Sequence, residues 1–438
     1  MTVKVAYDIT ILGKYFNSPD PKTGIYRFTE ELMFAMLQHN QIDFSAVGIC
    51  GDNLILSSSS CGKYAKKRSD LQFFDGCPDR TSFNLLSKLY QQLASIYSNP
   101  DFQKIPKLHP QSVLVRGIFK IINYSYANKI KIYDNFASQK FDVFHSPYYR
   151  LPSLCITQNT PRIITIHDLI PVTAREFVDR NMTAYFESIL NSIDYNRDWV
   201  TCVSEYTRQQ FCEYTGMEQD RTFVTHLAAD SCFFPVKDKS IIKQVKQKYR
   251  IPDSPYFVCL ASQLEPRKNI PHLIQCFAKL ISQQNNLNDI NLVLIGSQRF
   301  YQNKLAKVAK ILQRYQERII FTGYVEDEDL NALYSGATAF IFPSLQEGFG
   351  LPILEAMQCN VPVIASNVTS LPEVAGDAAI LVDPQDKDEL CQAMLTILNN
   401  ESLRQELITK GSTRAKSFSW SKCAKQTIEI YQTAASNL

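Results

Sequence analysis

Two glutamates, Glu347 and Glu355, bracket a Gly-Phe-Gly-Leu-Pro turn in the stretch "EGFGLPILEA" (347–356). The apolar run before them, "TAFIFPS" (338–344), reads as a buried strand. Pro352 suits the first turn of a following helix, where its missing N–H leaves no bond unmade. Glu347 then lies in a loop at the carboxyl end of a strand, and Glu355 about one turn into a helix. Gly348 and Gly350 let the backbone approach a ligand closely, and the helix start offers free N–H groups and a positive dipole end. Those groups fit a phosphate. Carboxylates are poor phosphate ligands but good acceptors for sugar hydroxyls. A ligand with both kinds of group is a nucleotide sugar.

The elements that must position these residues recur along the chain. "YFVCLAS" (256–262), "NLVLIGS" (291–297), "RIIFTGY" (318–324), "TAFIFPS", "PVIAS" (362–366) and "AAILVDP" (378–384) are short apolar runs separated by stretches with helical spacing. The first half shows the same alternation at "VKVAYDI" (3–9), a helix over 24–39, "FSAVGI" (44–49), "FDVFHS" (141–146), "PRIITIHD" (161–168), "WVTCVS" (199–204) and "TFVTHL" (222–227). Strands alternating with helices imply parallel sheets covered on both faces. The expected architecture is α/β, with two doubly wound Rossmann-like domains facing a central cleft. Ligands of such sheets bind outside the carboxyl ends of the strands. Residues 1–232 form the first domain, with a variable insert over about 51–140. Residues 233–254, lysine-rich with prolines at both ends, read as a linker, and residues 255–418 as the second domain.

Composition sets outer bounds. A chain of 438 residues has room for two or three domains. With 45% apolar and 20% charged residues it reads as a soluble globular protein. A net charge of +3 is too mild to argue for nucleic acid. The twelve cysteines are scattered without CxxC or Cys/His spacing, which argues against a zinc site or disulfide framework and for a reducing, cytoplasmic setting. The first strand begins at once, so no signal peptide is expected, and no apolar window reaches the length of a membrane span.

The stretch "FPSLQEGFGLPILEAMQCNVPVIASNVTSLPEVAGDAAILVDP" resembles the donor-binding segment of glycosyltransferase family 4, whose members have the two-domain GT-B fold. The Glu-x7-Glu motif of that family matches Glu347 and Glu355. The resemblance continues through "LEPRKNI" (264–270), "FTGYVEDEDLNALYSGA" (321–337), "IHDLIP" (166–171), "FHSPYYRLP" (144–152), "VSEYTRQQF" (203–211) and "TGIYRFTEEL" (23–32). It spans nearly the whole chain except about 51–140, and is greatest to the branch of bacterial O-antigen mannosyltransferases.

The resemblance implies a role for each matching residue. Glu355 holds the ribose hydroxyls of the nucleotide. Glu347 contacts the donor sugar, with Gly348 and the backbone of Phe349, Gly350 and Leu351 beside it. Arg267 and Lys268 neutralise the diphosphate and the charge that develops on it as the sugar departs. Many relatives carry an arginine where this chain has Gln263, and Arg267 is assigned that role here. His167 touches the donor sugar, and Asp168 braces its turn. Gly24 lets the first loop reach the phosphates, although Thr23 replaces a second glycine common in relatives. Tyr324 and Val325 flank the base. Glu373 is read as a brace and Ser204 as structural. The Asp-x-Asp within "EDED" (326–329) opens a helix and reads as a cap rather than a metal site.

The expected reaction is retaining transfer of a hexosyl group, best matched by GDP-mannose, to a glycan, lipid-linked or small-molecule hydroxyl acceptor, as in polysaccharide biosynthesis. No metal or other cofactor is expected. The leaving phosphate would take the acceptor proton, and the protein would supply positioning and charge stabilisation. The last stretch, 419–438, is expected to form a helix crossing back to the first domain. Between Lys104 and Lys131 lie six basic residues and no acid, with "VLVRGIFKIINYSY" among them. That segment is a candidate for contact with an anionic membrane at its inner face. Rival readings are a UDP-glucose or other UDP-hexose donor, a phosphorylase of the same fold, and a catalytically inactive protein that binds nucleotide sugars.

Overall fold

The computed structural model describes residues 2–16, 24–50, 54–68, 70–74, 96, 109–110, 112–115, 117–118, 140–152, 159–261, 265–283, 289–296 and 305–437. Two wholly parallel sheets organise them. The first contains β1 (Val3–Asp8), β2 (Ile42–Val47), β3 (Phe73–Phe74), β4 (Val143–Ser146), β5 (Arg162–Ile166), β6 (Trp199–Cys202) and β7 (Thr222–Val224), in the order β3-β2-β1-β4-β5-β6-β7. The second contains β8 (Tyr256–Leu260), β9 (Asn291–Ile295), β10 (Ile319–Gly323), β11 (Ala339–Phe342), β12 (Val363–Ser366) and β13 (Ala379–Val382), in the order β10-β9-β8-β11-β12-β13. Every residue of β4, β5, β6, β9, β11 and β12 is buried, as expected of strands covered on both faces.

Each sheet reverses its winding once. The crevices fall between β1 and β4 in the first sheet, and between β8 and β11 in the second. The chain leaves β8 toward Arg267 and Lys268, and leaves β11 toward Glu347. Two segments distant in sequence thus meet because their strands are neighbours (Ala339 pairs with Phe257).

The strand β5 carries a charge into the core. Arg162 is buried and donates through Nε to Asp198 Oδ1 at 2.8 Å, with Nη2 on the other carboxylate oxygen. Two further guanidinium N–H groups go to the carbonyls of Pro152 and Ser192, so four of its five donors are engaged.

The final helix, Trp420–Ser436, packs against the helix Gly24–Leu37 and against β1 and β4. Its Tyr431 hydroxyl lies 2.6 Å from His145 Nδ1, and His145 Nε2 lies 2.8 Å from Thr165 Oγ1. Burial holds His145 neutral, with its pKa down to about 3. The end of the chain is thereby pinned to the middle of the first sheet.

Three features depart from the sequence reading. A helix at Thr10–Tyr15 follows β1 directly and packs against the helix Leu54–Ala65. The close approach depends on Gly13, where a methyl group would lie 2.7 Å from Cys61 N and Sγ. Part of the 51–140 insert is therefore regular and extends the sheet through β3. The 233–254 segment is not a bare linker either. It contains the helix Lys239–Lys248, and its Lys248 and Tyr249 reach Asp329 at 2.5 and 2.7 Å. Most of the basic 104–131 segment lies outside the described residues. Of its apolar part, Val113, Leu114 and Ile118 are exposed.

Candidate active site

Arg267 and Lys268 occupy a short helical turn after β8, and Glu347 the loop after β11. Glu347 is buried between them. Its Oε2 is 2.7 Å from Arg267 Nη1, and its Oε1 2.5 Å from Lys268 Nζ. Arg267 also binds Glu265 through Nε at 2.5 Å and donates to the carbonyl of Gln346 at 3.0 Å. Burial works to raise the Glu347 pKa, but Lys268 and Arg267 together outweigh it and hold the carboxyl below its ordinary value. The same acids drive the Arg267 pKa up against the effect of burial. The result is a largely buried ion cluster with two cations at the crevice.

The loop that carries Glu347 is clamped from both sides. Ser370 Oγ donates to the carbonyls of Glu347 and Phe349 at 3.0 and 2.9 Å. From the first sheet's side, Ser204 Oγ and Thr207 Oγ1 donate to the Gly348 carbonyl at 2.7 and 3.0 Å. A side chain on Gly348 would collide with the His167 carbonyl oxygen and come within 2.8 Å of Asp168 Cβ. His167 and Asp168 follow β5, so this contact joins the edges of the two sheets. His167 Nε2 donates to the Pro147 carbonyl at 2.9 Å, which leaves Nδ1 as the acceptor of a neutral ring. Burial lowers the His167 pKa to about 4, against the raising effect of that hydrogen bond. Asp168 accepts from Ile170 N at 3.0 Å, bracing the turn. Burial raises its pKa, and Arg267 offsets this in part. A cavity of about 680 Å³ opens here, with His167, Asp168 and Arg267 in its wall.

Glu355 sits in the helix Leu351–Gln358, buried, with Arg27 Nη1 at 3.8 Å from Oε1. Arg27 belongs to the helix Gly24–Leu37 and binds Asp327 more closely, at 2.7 Å. Burial therefore dominates at Glu355 and lifts its pKa to about 7, opposed by Arg27 and assisted by Asp327 and Asp230.

The other expected residues fall into two groups. Gly350 caps the Leu351 helix with φ of +110°, and a side chain there would press on Leu371. Phe349 is buried, with its ring 5.9 Å from that of Phe418. These residues shape the loop around Glu347. Gly24 begins its helix in open space, and Tyr324 is an exposed ring beside the buried Val325. Neither Gly24, Tyr324 nor Val325 joins the ionised cluster. Gln263 and Thr23 lie outside the described residues. The acids at 326–329 open the helix Asp327–Ser335, where Asp327 pairs with Arg27 and Asp329 with Lys248. Among the described residues, no three His, Cys, Asp or Glu side chains are grouped as metal ligands.

Arg27 escaped the sequence reading, and Glu373, read as a brace, braces a different element from the one expected. Arg27 lies three residues after Gly24, and only its helical position shows that it faces the other sheet's Glu355. Glu373 takes His226 Nε2 at 2.6 Å and the N–H groups of Glu205 and Tyr206 at 2.8 and 3.2 Å. It braces the first turn of the helix Glu205–Thr215, the element that supplies Thr207 to Gly348, and not the phosphate loop itself.

Comparison with known proteins places these features. The family described as "Glycosyl transferases group 1" matches residues 241–414, and that described as "Glycosyltransferase Family 4" matches residues 93–231. The second match begins inside the insert, where the motif resemblance is interrupted. The chain is 35% identical over 290 residues to the O-antigen chain mannosyltransferase B of Escherichia coli, covering 66% of this chain and 74% of that one. It is 32% identical over 274 residues to the serotype-specific mannosyltransferase WbdA of Escherichia coli, across 61% of this chain but only 33% of that longer protein. The Anabaena HepE structure, solved with UDP and glucose, superposes with a TM-score of 0.61 at 14% identity, over 98% of this chain and all of that one.

The raised Glu355 pKa gives a stability prediction. The folded state holds this proton more tightly than the unfolded chain does. Its stabilising effect is therefore complete below the ordinary value of 4.5 and is lost as the pH rises through about 7. Glu355→Gln mimics the protonated form. Thermal unfolding should show it more stable than wild type at pH 8, by up to roughly 3 kcal/mol, with the two converging toward pH 5. A less stable variant at pH 8 would mean that the Arg27 pairing outweighs burial.

Proposed function

The chain belongs to glycosyltransferase family 4 and is a hexosyltransferase of GT-B fold, and from that premise we propose that it transfers mannose from GDP-mannose to a glycan hydroxyl with retention and without a metal ion. The observation that carries this reading is the cluster of Arg267, Lys268 and Glu347 at the β8/β11 crevice. The mannosyl group follows the Escherichia coli relative that is named a mannosyltransferase. The GDP-linked donor follows the resemblance of the sequence motifs.

The chemistry starts from an exchange of partners. In the free chain Glu347 pairs with both cations, and Glu265 pairs with Arg267 as well. A bound diphosphate takes that place, and the released carboxylate accepts hydrogen bonds from the donor sugar. As the anomeric C–O bond breaks, negative charge grows on the leaving phosphate. Arg267 and Lys268 stabilise it in a site shielded from water, where such interactions are strongest. The acceptor hydroxyl attacks from the face that the phosphate leaves, and the phosphate oxygen takes its proton. Neutral His167 serves as a hydrogen-bonding wall for the sugar rather than as an acid. Glu355 holds the ribose, Tyr324 and Val325 flank the base, and Gly24 leaves room for the phosphates. Leu351 and Phe349 keep the Glu347 loop in shape.

No helix among the described residues is long and apolar enough to cross a membrane. Exposed Val113, Leu114 and Ile118 in the otherwise basic 104–131 stretch support peripheral contact with an anionic bilayer. Pelleting with phosphatidylserine vesicles should capture the protein, and a fully soluble fraction would remove this part of the reading.

Calorimetric titration of GDP, UDP, GDP-mannose and UDP-glucose, followed by a transfer assay, tests the donor assignment. GDP and GDP-mannose should bind, and Glu355→Ala should weaken both by roughly ten-fold or more. Selective binding of UDP would assign the UDP-hexose donor instead. Binding without turnover across acceptors would indicate an inactive nucleotide-sugar-binding protein.

A further inference from the structure

Donor recognition accounts for only one side of the 680 Å³ cavity. His167, Asp168 and Arg267 form the wall nearest the ion cluster. The opposite wall comes from the turn at 175–179 and from the helix Arg180–Leu190. It is aromatic: the rings of Tyr148 and Tyr185 stand 6.2 Å apart, tilted by 41°, and Phe177 is half-buried beside them. Tyr148 also lies 6.4 Å from the His167 ring, so the aromatic wall reaches the expected position of the donor sugar.

The charges lining the cavity are one-sided. Asp168, Glu176, Asp179 and Glu265 contribute carboxyl groups, and Arg267 is its one guanidinium among the described residues. Arg267 is already bound to Glu265 and Glu347, and a donor diphosphate would take what remains. An anionic molecule entering beside the donor would meet carboxylates and a second anion, with no further cation in the lining among the described residues. An uncharged polyol meets the reverse. Its C–H faces lie against aromatic rings, and its hydroxyls can donate to Glu176 and Asp179, which are exposed at the rim. Asp179 keeps its helix-capping bond to Met182 N at 2.9 Å and has acceptor capacity to spare.

We propose that this cavity is the acceptor site and takes the uncharged terminal hexose of a glycan, rejecting phosphorylated and carboxylated acceptors by charge. The inference rests on the transfer reading for its purpose, but saccharide binding is measurable without turnover. Specificity of this kind is a difference between affinities, and here the repulsive side is built from Glu176, Asp179 and the donor phosphates themselves.

The test is saturation-transfer NMR on the full chain with saturating GDP, using α-mannobiose and mannose 6-phosphate as probes. Wild type should bind the neutral disaccharide about ten-fold more tightly than the phosphate. Phe177→Ala should weaken the neutral sugar by roughly ten-fold while GDP affinity, read by calorimetry, stays within about two-fold. Glu176→Lys should narrow the gap by strengthening the phosphate probe. Equal binding of both probes to wild type, no saccharide binding at all, or no response to either substitution would overturn the proposal. Loss of GDP binding in wild type would instead refute the donor reading, so the two failures are distinguishable.

Discussion

The Gly348 peptide is wedged between two parts of the first sheet. Its carbonyl takes the hydroxyls of Ser204 and Thr207, and its α-carbon faces the His167 carbonyl and Asp168 with no space for a side chain. This contact is what makes one site out of two sheets. Glu347 immediately precedes it, and the helix carrying Glu355 begins three residues later. Fixing Gly348 against the end of β5 therefore places both carboxylates, and the cations bound to Glu347, opposite His167. Glu373 and His226 hold the same boundary from the far side of the helix Glu205–Thr215.

Within that frame the two glutamates respond in opposite ways to one physical effect. Both are buried, and burial alone would neutralise both. Glu347 has two cations within hydrogen-bonding distance and stays ionised. Glu355 shares a single arginine, held more closely by Asp327, and its proton is retained to about pH 7. In the proposed reaction the first is a counter-ion that a diphosphate displaces, and the second hydrogen-bonds a neutral diol. The eight-residue spacing sets their separation across the turn, but neighbours brought by the fold set their chemistry.

Much of this was legible in the sequence, for reasons that are local. The strands announce themselves as short β-branched runs because both faces of a parallel sheet are buried. The turn glycines and Pro352 mark the loop and helix that carry the glutamates. Arg267, Lys268 and Glu347 were legible as site residues, but their pairing was not, because it depends on β8 and β11 being neighbours across a winding reversal. What stayed hidden depends on distant partners. Nothing local to Arg27 points to Glu355, and nothing in "SLPEV" shows that Glu373 caps a helix of the other sheet. The helices at 10–15 and 239–248 are short, and their stability comes from packing rather than from a long periodic pattern. The proposed acceptor preference was invisible because the cavity's charge is assembled from three segments, at Asp168, at Glu176 and Asp179, and at Glu265 and Arg267.

The central claim is that the Gly348 contact joins a donor-binding half to a reacting half. Gly348→Ala tests it most directly, because the φ of Gly348 lies outside the left-handed range, so alanine adds no backbone strain of its own and acts through its collision with the His167 carbonyl. With the donor proposed above, the measurement is GDP affinity and mannosyl transfer rate in the same variant, with thermal unfolding as a check on folding. GDP affinity should stay within a few-fold of wild type, while transfer falls roughly a hundred-fold as the His167 wall moves away from the donor. A folded variant that transfers at the wild-type rate would contradict the account, since the two sheets would then need no such contact to make one active site.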